Sequence, residues 1–303
     1  MDQSAYLVWP EQHGDAFDSH KFNAIKHNYH HHPLFSLSSL ESLAEYLLPL
    51  QKCRFAKEAL QLDSAFYHEG KSPDNQSIAQ VFAQMDQPGS WLALYDVQQH
   101  PAYAELLEGI VQSLSPLFSA QQGKLYEVAG FVFLSSAPAF TPFHIDRENN
   151  FWLQLHGQKK LSVFDHQDRS VVSQQAVEDF IVYRSLDDVK LDGSNRAKAV
   201  SFDVAPGQGV YFPSTTPHMT ETNDSWVTQD NGISVSIGVV FYTDWTQHIA
   251  RLCQYNSIAR KLRLPLSDLQ GVGVADLLRA RAGQALAYTR QRFRSYDAPN
   301  RSF

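Results

Sequence analysis

Residues 141–146 read Thr-Pro-Phe-His-Ile-Asp, and this short stretch organises the interpretation of the whole chain. Side chains two apart on a β-strand point to the same face, so His144 and Asp146 can contact one metal ion side by side. A third ligand must come from another strand, and His218 is the candidate. Two histidines and one carboxylate leave coordination positions open, an arrangement that non-haem Fe(II) oxygenases use.

A His-x-Asp pair is a weak signal by itself, because the chain contains 13 His among 303 residues together with 32 acidic residues. Three such pairs occur, beginning at His13, His144 and His166. The first lies in an irregular N-terminal region, and the third follows a strand and is typical of a polar turn. Only the pair at His144 ends a β-run, so it is the pair that favours a metal site.

The hydrophobic period changes from 3.6 to 2 near residue 125, which predicts a β-structured core. Strands are expected at 126–134, 151–155, 160–164, 210–212 and 233–241. The turn at 156–158 indicates a hairpin between the second and third of these, and 180–198 is predicted to be a long polar loop. Short strands separated by Gly and Pro turns are typical of an antiparallel sandwich or barrel.

Helical patterns flank this core on both sides. Ser38 and Glu41 have the spacing of a capping box, before an apolar stripe of Leu40, Leu43, Ala44 and Leu47. Further helices are predicted after Ser77, from Pro101 and after Trp245. We therefore divide the chain into a helical or mixed region packing on the core (1–124), a β-core (125–245) and a basic helical region (246–303).

Charge is distributed unevenly along the chain. The net charge is −7, but the region 246–303 has ten Lys or Arg against three Asp or Glu, a balance of +7. The acidic remainder argues against a general nucleic-acid partner. We expect the basic helices to dock on the chain's own acidic body or on a second copy, and an apolar stripe from Leu278 to Phe293 predicts a homodimer interface.

Two further features bear on the compartment. No long apolar run predicts a membrane span, and the N-terminus lacks the pattern of a secretion signal. Only Cys53 and Cys253 are present, which gives neither a disulfide framework nor a zinc-finger spacing. A cytoplasmic protein is the expectation.

Two residues near the His-x-Asp pair suggest an anionic ligand. Lys159 begins a predicted strand, and a lysine that points into a barrel is costly to desolvate without an anionic partner. A dicarboxylate co-substrate would supply that partner, and Thr141 offers a hydroxyl to the same carboxylate. The alternative for Lys159 is a solvated strand lysine, as its neighbour Lys160 is expected to be.

The set Thr141, His144, Asp146, Lys159 and His218, with Asn150 and the Gly-Gln at 157–158, resembles the cupin-like JmjC oxygenases, including a bacterial cupin-like branch. The likeness to that family's motifs covers about residues 126–242. It implies a mainly β protein with flanking helices, whose core is a double-stranded β-helix, or jelly roll. It also implies that His144, Asp146 and His218 bind Fe(II), that Lys159 and Thr141 hold the far carboxylate of 2-oxoglutarate, and that an unknown substrate is hydroxylated with release of succinate.

One position departs from that pattern. Some relatives carry a polar amide near the end of the last core strand, where this chain has Gly238. One oxygen of the co-substrate is then left to Asn150 or to water. Gly238 also motivates an alternative, a cupin-type binding or sensor protein that keeps the metal without turnover. A DNA-binding regulator that uses the basic tail is a further alternative, although no DNA-binding motif is present.

A histidine cluster in the N-terminal region has no assigned role. His27, His30, His31 and His32 lie close together in the sequence, but no acid or cysteine sits at helical or strand spacing from them. Surface or packing histidines are favoured over a second metal site.

Overall fold

A computed structural model describes residues 8–10, 17–56, 76–222 and 232–293. The strands are β1 (Val8–Pro10), β2 (Asn23–His27), β3 (Cys53–Ala56), β4 (Trp91–Leu94), β5 (Leu125–Ser136), β6 (Ala139–His144), β7 (Asn149–His156), β8 (Lys159–Val163), β9 (Val200–Val204), β10 (Gln208–Phe212), β11 (His218–Thr222) and β12 (Ile233–Thr243). The α-helices are α1 (Leu37–Leu47), α2 (Ile78–Phe82), α3 (Pro101–Ser119), α4 (Gln174–Tyr183), α5 (Asp244–Leu262) and α6 (Val274–Phe293). Four of the five predicted core strands, 126–134, 151–155, 210–212 and 233–241, lie within observed strands, and the fifth, 160–164, overlaps β8.

The strands form two antiparallel sheets that face each other. The larger sheet has the order β1-β2-β10-β7-β12-β5-β4-β3, and the smaller has the order β6-β11-β8-β9. The core strands pair as nested partners, β5 with β12, β6 with β11, β7 with β10 and β8 with β9. This nesting, in which the first core strand pairs with the last and the middle two pair with each other, is the jelly-roll arrangement. The predicted fold class is confirmed.

The larger sheet buries its outer face under helices α1 and α3. Val235, Ile237, Val239 and Phe241 of β12 belong to the largest apolar cluster, together with the inward face of α3 at Leu106, Ile110 and Leu114. The outer face of the smaller sheet packs on α4 and α5, where Phe143, Ile145 and Met219 join a second cluster. With both outer faces covered, the alternating residues of each strand face the space between the sheets.

The predicted hairpin at residues 156–158 is wrong. β7 lies in the larger sheet and β8 in the smaller, so the chain crosses between sheets there instead of turning back on itself. Gly157 has φ of 59°, and a Cβ on it would lie 2.3 Å from the carbonyl oxygen of Ile233. The crossing therefore requires glycine at residue 157. A hairpin turn would also favour glycine there, so the residue type does not distinguish the two structures.

The N-terminal region is more β-structured than its sequence indicated. β2 pairs with β10 and β4 pairs with β5, so this region extends the larger sheet at both edges. Helix α1 buries the predicted stripe, but its N-cap is Ser36, whose hydroxyl accepts from the Ser39 backbone N–H. The capping box at Ser38 and Glu41 is wrong. By contrast, Ser77 caps α2 in a capping box with Gln80, as its position suggested.

The predicted loop over 180–198 is partly wrong, because its first residues complete helix α4. Val177, Phe180 and Ile181 have helical spacing and are buried against the smaller sheet. A short 3-10 helix occupies Gly193–Lys198.

The C-terminal helices α5 and α6 pack against each other. Gly283 lets the two backbones approach, since a Cβ there would lie 1.9 Å from the carbonyl oxygen of Arg251. The apolar face predicted for a dimer is partly open at Leu278, which is 59% exposed, and the adjacent Leu277 is 50% exposed. The dimer and the three-part division of the chain stay predictions. No helix among the described residues is long and apolar enough to cross a lipid bilayer.

Candidate metal centre and interior pocket

The structure brings together the three predicted ligands. His144 ends β6, Asp146 follows it, and His218 begins β11, directly opposite His144 in the register of the two strands. The Nε2 atoms of His144 and His218 lie 3.6 Å from Asp146 Oδ1 and 3.5 Å from Oδ2, respectively. Among the described residues this is the only group of three or more acidic, His or Cys side chains close enough to share a metal ion, with ligand atoms within 4.8 Å of one another.

Backbone carbonyls orient both imidazoles. Nδ1 of His144 donates to the Pro142 carbonyl at 2.8 Å, and Nδ1 of His218 donates to the Thr216 carbonyl at 2.9 Å. A carbonyl can only accept, so each Nδ1 carries the proton and each Nε2 presents its lone pair to the interior. Burial lowers the pKa of His218 to about 4, with the neighbouring His144 acting in the same direction, so the imidazole of His218 is neutral near pH 7. Neutral, oriented imidazoles are the form that binds metals.

Asp146 completes a set that fits a cation. Its Oδ1 is buried and has no hydrogen-bond partner. Its backbone carbonyl accepts from the N–H of Thr215, a residue held at φ of 62°. A buried carboxylate oxygen without a partner calls for an explanation, and a metal ion is the simplest one for an atom that faces two imidazole lone pairs. The residues present therefore fit the Fe(II) that the sequence implied.

A β-bulge places Thr141 on the same face as His144. Three residues separate them, so in a regular strand they would point to opposite faces. His218 pairs with His144 and Thr220 pairs with Thr141, so β6 has one more residue than β11 over this span. Since His218 and Thr220 share a face, Thr141 and His144 share it too. The bulge reconciles the predicted role of Thr141 with strand geometry.

Lys159 lies inside the barrel, at the other end of the same face. Its register partners place it opposite Val204, in line with Thr222 and Thr220 of β11. The side chain is 2% exposed, and its ammonium donates to Ser135 Oγ at 3.0 Å. No carboxylate of the described chain lies within salt-bridge distance of it, and burial lowers its pKa to about 8. Lys159 is thus a buried cation without a buried anion, whereas Lys160 pairs with Glu221 at 3.1 Å on the outer side.

Asn150 fills the space that Gly238 leaves open. A Cβ on Gly238 would lie 3.1 Å from Asn150 Oδ1 and 3.3 Å from its Nδ2. Asn150 Oδ1 is buried and has no hydrogen-bond partner. The amide of Asn150, on β7, therefore occupies the space beside Gly238 of β12. A longer side chain at residue 238 would exclude the amide from that space.

Several polar side chains of the pocket escaped the sequence analysis. Thr220 Oγ1 and Ser236 Oγ are buried without partners, and Ser135 contacts both Lys159 and Thr222. The signal in the sequence that could have found them is the polar residues that alternate with apolar ones along these strands. In β12 the alternation is clear, but its apolar side faces the helices and its Ser and Gly side faces the pocket. Alternation alone does not say which face is the interior.

The other histidines of the described residues do not form a comparable site. In the N-terminal cluster His27 donates through Nε2 to the Gln208 carbonyl, and its Nδ1 accepts from the Tyr29 N–H. His32 caps a 3-10 turn by accepting from the Leu34 N–H. Of the rival His-x-Asp pairs, His13 lies outside the described residues. The pair at His166 lies in a turn where Asp168 bonds Lys198 at 2.9 Å.

Comparisons with known proteins reach only the level of general shape. No family model matches the sequence, and no curated protein matches it significantly. Among solved structures, a ribosomal oxygenase of Escherichia coli, YcfD, aligns at 13% identity and a TM-score of 0.41 over 92% of this chain and 62% of its own. Its complex with cobalt and 2-oxoglutarate aligns at 12% and 0.40, over 93% and 63%. The 2-oxoglutarate-dependent carbocyclase SnoK, from nogalamycin biosynthesis, aligns at 14% and 0.43, over 76% and 87%.

Such distant similarities say nothing about the activity of this chain. It also spans less than two thirds of the ribosomal oxygenase chain. The jelly-roll assignment rests on the strand pairing described above, and the functional argument rests on the side chains of the pocket.

Proposed function

We propose that this protein is an Fe(II)- and 2-oxoglutarate-dependent oxygenase that hydroxylates its substrate and releases succinate and CO2. One observation carries the proposal. A single interior face presents His144, Asp146 and His218 at one end and the unpaired buried ammonium of Lys159 at the other. A dicarboxylate that chelates the metal with its keto-acid end and pairs with Lys159 at its far end satisfies both.

The three ligands account for the metal half of the proposal. His144, Asp146 and His218 would hold Fe(II) on one side and leave open positions for co-substrate and dioxygen. The bound iron supplies the oxygen activation and the oxidising power that no amino-acid side chain has. The chain's own contribution is to hold both imidazoles by their Nδ1 atoms, so that the ligand geometry exists before the metal binds.

Lys159 and its neighbours account for the co-substrate half. An ammonium buried without a carboxylate costs free energy, and the far carboxylate of 2-oxoglutarate would recover that cost through a charge-assisted hydrogen bond. Thr141 lies on the same face, and the unpartnered hydroxyl of Thr220 is its register partner. Both offer hydroxyl donors to the same ligand.

Asn150 is the proposed partner for a co-substrate oxygen near the metal end. Its amide is packed over Gly238 with Oδ1 unpartnered, and the Nδ2 of the same amide is a donor for a carboxylate. The absence of a longer side chain at residue 238 is thereby compensated from the neighbouring strand.

The proposal is tested by succinate formation. Purified protein, loaded anaerobically with Fe(II) and then given oxygen and 2-oxoglutarate, is expected to form succinate, slowly without substrate and faster with one. His144→Ala is expected to abolish it. If the iron-loaded protein binds no 2-oxoglutarate and His144→Ala changes nothing, the proposal is wrong.

The alternative is a cupin-type sensor that binds metal and co-substrate without turnover. Gly238 motivates this alternative, but the packing of Asn150 on that glycine weakens the argument for it. Tight binding of 2-oxoglutarate, with no succinate formed across panels of peptides, tRNA and small molecules, would favour this alternative.

We further propose that the C-terminal helices associate with a second copy of the chain. Of the twelve exposed large apolar side chains of the described chain, eight lie between Leu262 and Tyr288. The double substitution Leu277→Ser, Leu278→Ser is expected to convert a dimer into a monomer in light scattering. A monomeric wild-type protein at micromolar concentration would contradict the dimer.

A further inference from the structure

A cavity of about 870 Å³ opens beside the candidate metal centre. One wall is the rim of β5 and β12, a second is formed by α4 and α5, and the third is the segment from Asp96 to Gln99. Its volume lies in the range of small-molecule sites, which is about 300–1,000 Å³.

The cavity is continuous in the chain with both the metal ligands and the barrel interior. Arg147 and Glu148, which line it, directly follow Asp146. Phe131 and Val240 line it as well, and they belong to the apolar cluster between the sheets. A molecule in the cavity therefore has its apolar part against the interior face and one end beside the two residues that follow Asp146.

The backbone at the rim is strained. Glu127, which lines the cavity, has φ of 53°. It lies in a β-bulge, where β5 has one more residue than β12. A non-glycine residue in this region is unfavourable in free energy and persists at sites where the distortion is used. Bulges are common beside active sites, because they re-aim side chains.

Three of the charged side chains that line the cavity have partners within it. Lys52 and Asp96 form an ion pair at 2.6 Å. Glu148 accepts a hydrogen bond from the Tyr242 hydroxyl. Arg147 differs from them, since its Nε is buried without a hydrogen-bond partner and no carboxylate of the described chain lies within salt-bridge distance of its guanidinium. An arginine in this state is matched to an incoming carboxylate or phosphate, which it can bind through two parallel N–H donors.

We infer that this cavity binds the primary substrate, and that the substrate is a small organic acid whose anionic group pairs with Arg147 while its apolar body lies on Phe131 and Val240. The reaction assigned to this substrate rests on the proposed function, but its binding does not. The anionic group is a carboxylate or a phosphate, the two groups that the guanidinium fork fits.

The test is calorimetry with three probes of similar shape, 3-phenylpropionate, 3-phenylpropionamide and phenyl phosphate. Wild-type protein is expected to bind at least one of the two anions about tenfold or more tightly than the amide, and the tighter anion identifies the group. In Arg147→Gln that preference is expected to vanish. Arg196→Gln removes the same charge from an exposed 3-10 helix and is expected to retain the preference.

Several outcomes would overturn the inference. They are no preference for either anion over the amide, an unchanged preference in Arg147→Gln, and equal loss in Arg196→Gln. An acetylated and amidated Gly-Glu-Gly peptide that binds as tightly as the aryl acids would overturn the assignment to a small molecule.

Two controls separate this site from the rest of the molecule. Lys159→Met is expected to bind the probe as tightly as wild type, whereas a loss of probe affinity in this variant would place the probe at Lys159 and overturn the inference. The melting temperature of Arg147→Gln is expected to equal or exceed that of wild type, because the substitution removes a poorly solvated charge; a large decrease would show a structural role instead. Failure of 2-oxoglutarate binding would contradict the proposed function and leave the probe result intact.

Discussion

Two groups of histidines in this molecule look alike in composition and differ in what they can do. The N-terminal group, His27 to His32, places four histidines within six residues. His27 and His32 hold backbone groups, and the rings of His30 and His31 lie tilted against each other with centroids 3.8 Å apart. The interior pair comes from two distant strands, and both rings turn their Nε2 atoms toward one carboxylate.

The difference shows what makes a histidine a candidate ligand. In the interior pair each Nδ1 is held by a carbonyl two residues earlier in the chain, and each Nε2 is aimed at Asp146. In the N-terminal group no acidic side chain is near enough to form a three-residue site within the described chain. Orientation and a shared carboxylate therefore distinguish the site, and the density of histidines does not.

The largest effect is expected from breaking the interior group. His144→Ala removes a direct ligand, so the loss in Co(II) affinity should exceed the about 10- to 100-fold that removal of an outer partner causes. His31→Ala, in the exposed part of the other group, should leave the affinity unchanged. Equilibrium dialysis with metal analysis measures both, and similar losses in the two variants would erase the comparison.

Lys159→Met is expected to have the next largest effect. Loss of a charge-assisted hydrogen bond worth about 1.5–3 kcal/mol predicts a roughly 10- to 150-fold weaker affinity for 2-oxoglutarate in calorimetry. The melting temperature should stay the same or rise, because an unpaired buried ammonium is removed. The neighbouring Lys160→Met is the matched control and should bind normally, and a 2-oxoglutarate affinity that survives in Lys159→Met would contradict the assignment.

The pH dependence of 2-oxoglutarate binding follows from the same lysine. Its pKa is about 8 in the free protein, so above that pH binding of the dianion must be accompanied by uptake of a proton. Affinity should therefore be level below pH 8 and fall toward tenfold per pH unit above it. Calorimetry between pH 7 and 9.5 measures this, and a flat profile would mean that another group holds the far carboxylate.

The N-terminal group predicts a pH effect on stability. Burial lowers the pKa of His27 from 6.5 to about 4. Between pH 4 and pH 6.5, His27 is therefore protonated in the unfolded chain and neutral in the folded protein. The free energy of unfolding should fall as the pH drops through this window, by up to about 1.4 kcal/mol per pH unit from this residue. Urea unfolding at pH 7 and pH 4.5 should show a smaller decrease in His27→Gln. An equal decrease in both proteins would contradict a structural role for the buried ring.

The smallest effect is expected at Asn150. One neutral hydrogen bond is worth about 0.5–1.5 kcal/mol, so Asn150→Ala should weaken 2-oxoglutarate binding by roughly 2- to 12-fold. Gly238→Ala should act in the same direction, because its Cβ would press on the Asn150 amide at 3.1 Å. Unchanged 2-oxoglutarate affinity in both variants would contradict a role for Asn150 and leave water as the partner of that co-substrate oxygen.

Much of the site was within reach of the sequence, because it depends on short-range spacing. His144 and Asp146 are two residues apart, at and just after the end of β6, and the period-2 pattern placed them within the predicted β-core. The position of His218 could only be inferred from the family resemblance, and its register opposite His144 is a tertiary fact. Thr141 was a correct neighbour for a reason that the sequence does not show, since the bulge that turns it inward is set by pairing with β11.

The errors have a common physical origin. A glycine at residue 157 serves a crossing between sheets as well as a hairpin, and local sequence does not distinguish the two. The strand β2 is completed by a partner far along the chain, so its pairing has no local signature. Ser135 and Ser236 occupy the polar half of alternating strands, which is ordinarily the solvent side, and here it faces a pocket between the sheets.

The most direct test of the central claim is a titration of 2-oxoglutarate into protein loaded with Co(II), in parallel with metal-free protein and with Lys159→Met. If one ligand spans the metal and the lysine, affinity should fall about tenfold or more when either end is removed, while Lys160→Met should match wild type. Binding that ignores both the metal and Lys159 would show that the two ends of the pocket do not share a ligand, and the account would fail.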